Sequence, residues 1–459
     1  MDYNALSLIP PLLAIFLAIL TKDVVISLVT GIFSGQLILH GFNPTTAFIH
    51  FFDDIIGLFS EGWITKTLLF ALMVGAIIQL IIDSGGVNGF VYYLSKKKDK
   101  VNSKQSALFL AFIIGIVIFI ESSLTSLIAG TVARPLTDKY GVSRQKLAYV
   151  CDATAAPVCS LIALNAWGAL LIGLITAQIN TGIITGNATT LFISSIPFNF
   201  YALISLVLVF FTIRYNWNIG SMKTFETNAR PLLTTNNETE KGNPLYMLLP
   251  LAILIGTMPI ALYLSGDGNL FNGSGSTSVF YAVVNCLLFT FVYYLFNKIM
   301  NKKDFYKSFY KGLATMLPIT LVLILAFAIG KMSNDLGTGK FLATLAHDTV
   351  SPALIPVIVF LLAALIAFST GTSWGTFSIM MPIAISLAVS TEAPLALTIG
   401  AVVSGGIFGD HASPISDTTI ISSMAAGCDH MEHVNSQLPY ALVGAGISMV
   451  LFIVFGYLL

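Results

Sequence analysis

Apolar runs long enough to cross a bilayer dominate this chain, and they leave few folds open to it. The hydrocarbon core is about 30 Å thick, so a spanning helix needs roughly 20 apolar residues. Runs approaching that length lie near 6–20, 23–40, 66–82, 106–120, 197–214, 245–264, 278–297, 313–330, 352–369 and 437–458. Two further stretches, 145–180 and 395–428, are apolar but interrupted by polar clusters. Only 10% of the 459 residues are charged, against about 25% in a soluble domain. That is too little polar surface to cover a water-soluble globule of this size. The 56% hydrophobic content excludes a disordered chain. The expectation is an all-α polytopic membrane protein of about 12 spans, broken helices included.

The formal net charge is zero, so charge alone points to no acidic or basic partner, and no nucleic acid is expected. The partner implied by composition is the lipid bilayer. Residues 6–20 lack a basic flank before them and a small-residue cleavage site after them, so they read as a span and not as a cleaved signal. Cys151, Cys159, Cys286 and Cys428 match no zinc or CxxC spacing and read as small buried packing residues.

Lys and Arg mark the loops that stay in the cytoplasm. With the spans assigned alternately, 19 of the 22 basic residues fall on one side. They include Lys96, Lys97, Lys98, Lys100 and Lys104 in one loop, and Arg134, Lys139, Arg144 and Lys146 in the next. The other side holds only Lys66, Lys331 and Lys340. This bias predicts a multi-pass protein of the cell (inner) membrane with both termini outside. The polar stretch 215–244 reads as a cytoplasmic linker between a first unit, 1–214, and a second, 245–459.

The two units resemble each other. Residues 122–135 read SSLTSLIAGTVARP and residues 369–382 read STGTSWGTFSIMMP. At a constant offset Ser122, Thr125, Ser126 and Pro135 fall on Ser369, Thr372, Ser373 and Pro382. Each block precedes an interrupted span, the first carrying CDATAAP at 151–157 and the second GDHASP at 409–414. SGGVNGF at 84–90 resembles NDLGTGKF at 334–341. The segment after the first block is basic and that after the second is not, so the halves are expected as inverted repeats, each with a re-entrant hairpin, near 121–135 and 369–382.

Breaks in a spanning helix survive only inside protein or beside water. Pro157 and Pro414 each remove a helix hydrogen bond in mid-span, and each follows an Asp, Asp152 or Asp410. These segments are expected to unwind, with free carbonyls aimed into a cavity. Acidic residues within spans are costly and functional by default, which selects Asp152, Asp410 and Asp417, with helix capping as the plainer alternative. Hydroxyls, carbonyls and carboxylates are hard oxygen ligands that suit a hard cation. Glu121 ends a span just before the first block, and its aligned residue is Phe368. It is a proton-carrier candidate, with capping or a pair with Arg134 as the alternative. His411 either titrates or hydrogen-bonds the broken backbone. The DHMEH run at 429–433 has no third distant ligand and reads as a solvated polar loop or pH-sensing patch. Asn165 and Trp374 are candidates to line a substrate cavity, although packing is the commoner role of Trp167 and Trp374.

FGDHASPISDTTIISS at 408–423, followed by HVNSQLPYAL at 433–442, resembles the signature of the NhaC-type sodium/proton antiporter family, within the wider ion transporter superfamily. The resemblance covers most of the chain in span pattern and length. It implies a hairpin from each side and cation sites between hairpin tip and unwound helix. One site would use Ser122, Ser123, Thr125, Ser126, Asp152 and Thr154. The other would use Ser369, Thr370, Thr372, Ser373, Asp410, Ser413 and Asp417. Glu121 and His411 would serve proton coupling. Sodium is the only metal implied. No cofactor is implied, Na+ and H+ being the coupling or transported ions, and a homodimer is compatible with the family. One departure is His411, where members of the family often carry Lys. The His form resembles a branch that includes sodium-coupled amino-acid carriers.

The resemblance therefore implies a secondary active transporter exchanging sodium for protons by alternating access. The alternative is Na+- or H+-coupled transport of a small organic solute, such as an amino acid or carboxylate. No nucleophile–base pair or metal triad stands out, so an enzyme is not expected, and inverted repeats with broken helices argue against a channel.

Overall fold

The computed structural model describes residues 3–21, 23–96, 102–119, 121–163, 165–231, 242–269, 273–338, 341 and 351–459. Lys22, Lys97, Lys98, Lys100, Lys241 and Lys340 lie outside the described residues, as does the centre of the expected linker, 232–241. Among the described residues the protein is all helix. The first half holds α1 (Ile9–Thr21), α2 (Val24–Leu39), α3 (Pro44–Leu58), α4 (Gly62–Asp83), α5 (Gly86–Lys96), α6 (Lys104–Val117), α7 (Ser122–Lys139), α8 (Arg144–Ser160), α9 (Ala166–Asn180), α10 (Ala188–Ser195) and α11 (Phe200–Tyr215). A short α12 (Ser221–Asn228) lies in the linker. The second half holds α13 (Leu245–Ser265), α14 (Gly275–Phe296), α15 (Lys302–Asp335), α16 (Ile355–Thr370), α17 (Ser373–Thr391), α18 (Leu395–Ala412), α19 (Asp417–Ala426) and α20 (His430–Leu458).

Every apolar run read from the sequence carries a helix. Eight described helices are long and apolar enough to cross a membrane, and nine if the bent pair Ala188–Phe198 and Phe200–Tyr215 counts as one span. Shorter apolar helices, Ala5–Ala18, Val24–Leu39, Lys104–Val117 and Ala166–Asn180, supplement them.

The packing is reciprocal. α1 pairs with α2 as α13 pairs with α14, and α4 lies along α15 between them. α6, α7 and α8 pack together as α16, α17 and α18 do. Beyond the breaks the chain crosses over: α19 packs on α7, and α9 packs on α17. The apolar core accordingly falls into two large clusters, each drawing residues from both halves, and Trp374 packs against both.

Four breaks interrupt these helices, at 118–121, 161–165, 371–372 and 413–416. At each, a side chain caps the next helix. Glu121 accepts from Ser123 and Leu124, Asn165 from Gly168, Thr372 from Gly375 and Ser416 from Thr419. The carbonyls left behind are also taken up. Thr125 donates to Ile118, Asn165 to both Phe119 and Cys159, and Ser413 to Phe368. These carbonyls do not point free into a cavity, as the sequence suggested. An unpaired backbone group away from water costs too much, and nearby hydroxyl and amide groups meet it.

Three positional expectations are corrected. α8 runs on through Pro157 to Ser160, because the carbonyl that Pro157 cannot bond, that of Ala153, accepts from Ser205 Oγ on α11 instead, at 3.0 Å. The helix therefore unwinds only beyond Ser160, whereas Pro414 does lie within a break. The first hairpin turns at 118–121, just upstream of the serine block, so 122–135 is one arm of it; the second turns inside its block, at Gly371. Ser373, and not Ser369, therefore stands where Ser122 stands, as the residue that opens the second arm.

α16 and α18 approach closely because α18 presents glycine to it. A Cβ at Gly405 would collide with the Phe360 carbonyl, and one at Gly409 with that of Ala364. Small residues at such contacts are what lets membrane helices pack. Gly405→Val should lower the thermal stability of purified protein by about 1–3 kcal/mol or prevent folding. Gly446→Ala, which has nothing within 4 Å, should leave the melting temperature unchanged.

Candidate functional site

Asp152 sits on the face of α8 that meets α19 and α20, and it is fully buried. Its Oδ2 accepts from Gln437 Nε2 at 2.7 Å and from Thr419 Oγ1 at 3.1 Å. His433 Nε2 stands 3.6 Å from the same oxygen. All three partners belong to the second half of the chain. Oδ1 has no partner. The effective penalty for burying a carboxylate is several kcal/mol, and each hydrogen bond to a charged group returns about 1.5–3 kcal/mol. Two such bonds roughly offset the burial, and the bare Oδ1 leaves capacity for a cation or a proton.

Asp410 lies in the last turn of α18. Its Oδ2 accepts from Ser373 Oγ, the residue that opens α17, at 3.1 Å, and its Oδ1 also lacks a partner. The second-half pairing of hairpin and broken helix is thus present between these two residues. Asp410 lies within electrostatic reach of Asp417 and Asp152, and Asp417 within reach of Glu121 and Asp152. The four carboxylates gather in one region around the breaks.

The remaining residues divide into those that face this region and those that hold the backbone. Ser126 Oγ donates to the Cys151 carbonyl at 3.5 Å, beside Asp152. Among the described residues, the hydroxyls of Ser122, Ser123, Thr125 and Thr154 make no bond to the Asp152 carboxylate. Thr154 donates to Val150, and Ser122 stands 3.3 Å from Glu121 Oε1. Ser369 and Thr370 donate to carbonyls one turn back in α16, Thr372 caps α17, and Ser413 bonds Phe368. Asp417 is exposed at the first turn of α19, where its Oδ1 accepts from the Thr418 amide. The grouping of the first hairpin's hydroxyls with Asp152 is therefore corrected: the oxygen and nitrogen groups around Asp152 come from α19 and α20.

Glu121 is a cap, with both carboxylate oxygens on backbone amides of α7, 3.0 Å from Ser123 N and 2.8 Å from Leu124 N. It makes no pair with Arg134, which lies against Asp138. His411 is buried, with Nδ1 at 3.3 Å from the Tyr201 hydroxyl and Nε2 unpartnered. Asn165 stitches the two first-half breaks together. Trp374 packs edge-on against the buried Trp167, ring centroids 6.1 Å apart.

The DHMEH run, read as a solvated polar loop or pH-sensing patch, is solvated only in part: Asp429, Met431 and Glu432 are exposed, while His433 is buried. Asp429 caps α20, and Glu432 accepts from Gln145. His430 Nε2 meets the Pro414 carbonyl inside the break at 2.6 Å. His433 is fully buried against Asp152. Among the described residues no three His, Cys, Asp or Glu side chains are placed to hold a metal ion. Gln437 and Thr419, which the sequence reading passed over, make the closest contacts to Asp152. His433 and Gln437 are four apart, hence on one helical face, and that spacing inside an apolar span was the available signal.

The model of the Na+/H+ antiporter family matches residues 158–457. An uncharacterised protein of Haemophilus influenzae is 35% identical over 98% of this chain and 91% of its own length. A second protein of that organism, named an uncharacterised Na+/H+ antiporter, is 34% identical, and a malate-2H+/Na+-lactate antiporter of Bacillus subtilis is 28% identical. Those two alignments span 33% and 34% of this chain, and 33% of each relative. The solved structure of the Alcanivorax borkumensis YdaH transporter superposes with a TM-score of 0.64 at 17% identity, covering 89% of this chain and 88% of that one, and so shares the fold.

Removing the Glu121 cap should cost about 0.5–2 kcal/mol. Glu121→Ala is expected to lower the melting temperature of purified protein, with Glu121→Asp largely restoring it. An unchanged melting temperature for Glu121→Ala would deny the carboxylate this role.

Proposed function

The chain belongs to the Na+/H+ antiporter family, and from that membership we propose that it exchanges sodium for protons across the cell (inner) membrane by alternating access. Its role as a secondary transporter follows from the family. The exchange reaction rests on one observation above the rest: two buried carboxylates, Asp152 and Asp410, each with one oxygen hydrogen-bonded and one bare. A bare carboxylate oxygen in an apolar interior accepts either a hard cation or a proton, and occupancy by one disfavours the other. Competition for one site is sufficient to couple opposite fluxes. The hydroxyl oxygens of Thr419 and Ser373 lie against the two carboxylates, and hard oxygen donors favour sodium over softer ions.

The reciprocal packing of α7 on α19 and α17 on α9 supports two inverted units. Each unit carries its own hairpin and its own broken span, so a rocking of one against the other would open the carboxylates to alternate sides. A second reading is favoured by the relative named for malate and lactate exchange: a small organic carboxylate carried with the ions.

Purified protein in proteoliposomes decides between them. Sodium added outside should drive protons out, so the lumen becomes alkaline with no organic solute present. Asp152→Asn and Asp410→Asn should each slow this by about tenfold or more, as expected for loss of an interaction worth about 1.5–3 kcal/mol, while eluting as folded protein. Wild-type rates in both variants would remove these residues from the reaction. Sodium-driven proton movement only when a carboxylate is supplied would select the second reading.

A further inference from the structure

Gln437 has an unusual position. Its side-chain nitrogen donates to Asp152 Oδ2 at 2.7 Å and to the backbone carbonyl of His411 at 2.9 Å. Both partners are acceptors only, so the amide orientation is fixed: the NH2 group must face them, and its two hydrogens are both used. The carboxamide oxygen then has no donor and is buried. Gln437 also lines a small cavity with His411, Tyr201, Ser205, Tyr149 and Tyr440, with room for about one water molecule. Gln437 itself is 1% exposed.

The His411 carbonyl belongs to the turn that carries Asp410, at the edge of the 413–416 break. One side chain therefore spans from the carboxylate of the first half to the unwinding end of α18 in the second. We propose that Gln437 is a positioning residue that joins the two carboxylates. It holds Asp152 in its cation-accepting orientation only while the end of α18 keeps its present conformation, so that occupancy at Asp410 alters affinity at Asp152. This rests on the reading of both aspartates as cation sites. Thr419 supports the same oxygen from α19 through its hydroxyl, while its backbone amide donates to the Ser416 cap in the break.

The link predicts energetic coupling between two residues that the hydrogen bonds do not connect directly. Gln437→Met keeps length and volume but removes both donors. In purified protein, protection against thermal unfolding is measured as sodium is raised, which needs no transport. Gln437→Met should require about tenfold more sodium for half protection, while its melting temperature without sodium stays within a few degrees of wild type. Combined with Asp410→Asn, the double variant should fall short of the product of the single effects by about threefold or more, the mark of coupled sites. Single effects that simply multiply would overturn the proposal, as would unchanged sodium dependence in Gln437→Met. Wild-type protein that sodium does not protect would also overturn it, and the proteoliposome experiment then shows separately whether exchange itself survives. If Gln437→Met fails to fold, Gln437→Glu, polar and nearly isosteric, takes its place in the same cycle. Ser448→Ala, further along α20, serves as the unaffected control.

Discussion

A carboxylate in the middle of an apolar bundle must be solvated by the protein, and Asp152 is solvated from far away in the chain. Its hydrogen bonds come from residues 267 and 285 positions distant. The site therefore does not exist within either half. It forms only when α19 and α20 are laid against α8, and this requires the chain to break at 413–416 and re-enter. Much else in the architecture serves that requirement. α19 is short and packs on α7, while His430 reaches back to the Pro414 carbonyl inside the break.

The same economy governs the other breaks. A helix can be interrupted at membrane depth if both loose ends find partners, and here each end does, through a cap on the following helix and a hydroxyl or amide on the preceding carbonyls. The polar residues around the breaks thus divide into two groups. Glu121, Asn165, Thr372, Ser413 and Ser416 satisfy backbone. Asp152 and Asp410 keep an oxygen bare, and bare oxygens are what a transported cation needs. Both roles draw on the same residue types, which is why composition alone could not separate them.

The spans were legible because a run of roughly 20 apolar residues has one stable outcome in lipid. The two buried aspartates were legible because charge inside such a run is costly enough to require a reason. Pro157 misled, since its missing hydrogen bond is replaced by Ser205 from another helix, a tertiary rescue that no local pattern announces. The hairpin alignment slipped for a related reason: serines and threonines recur through both blocks, and only the break itself marks the opening residue. His433 and Gln437 were hidden by the charged run 429–433, which ends in His433 and resembles a surface loop until α20 is seen to begin at His430 and to turn these two side chains inward.

The central claim is that sodium and protons compete for the same buried carboxylates. The most direct measurement is proton release from purified protein in lightly buffered detergent solution when sodium is added, with choline as the control cation. The account predicts that sodium displaces protons from wild-type protein, and that a variant lacking both Asp152 and Asp410 carboxylates releases none. Sodium binding with no proton released, at a pH where exchange proceeds, would contradict it.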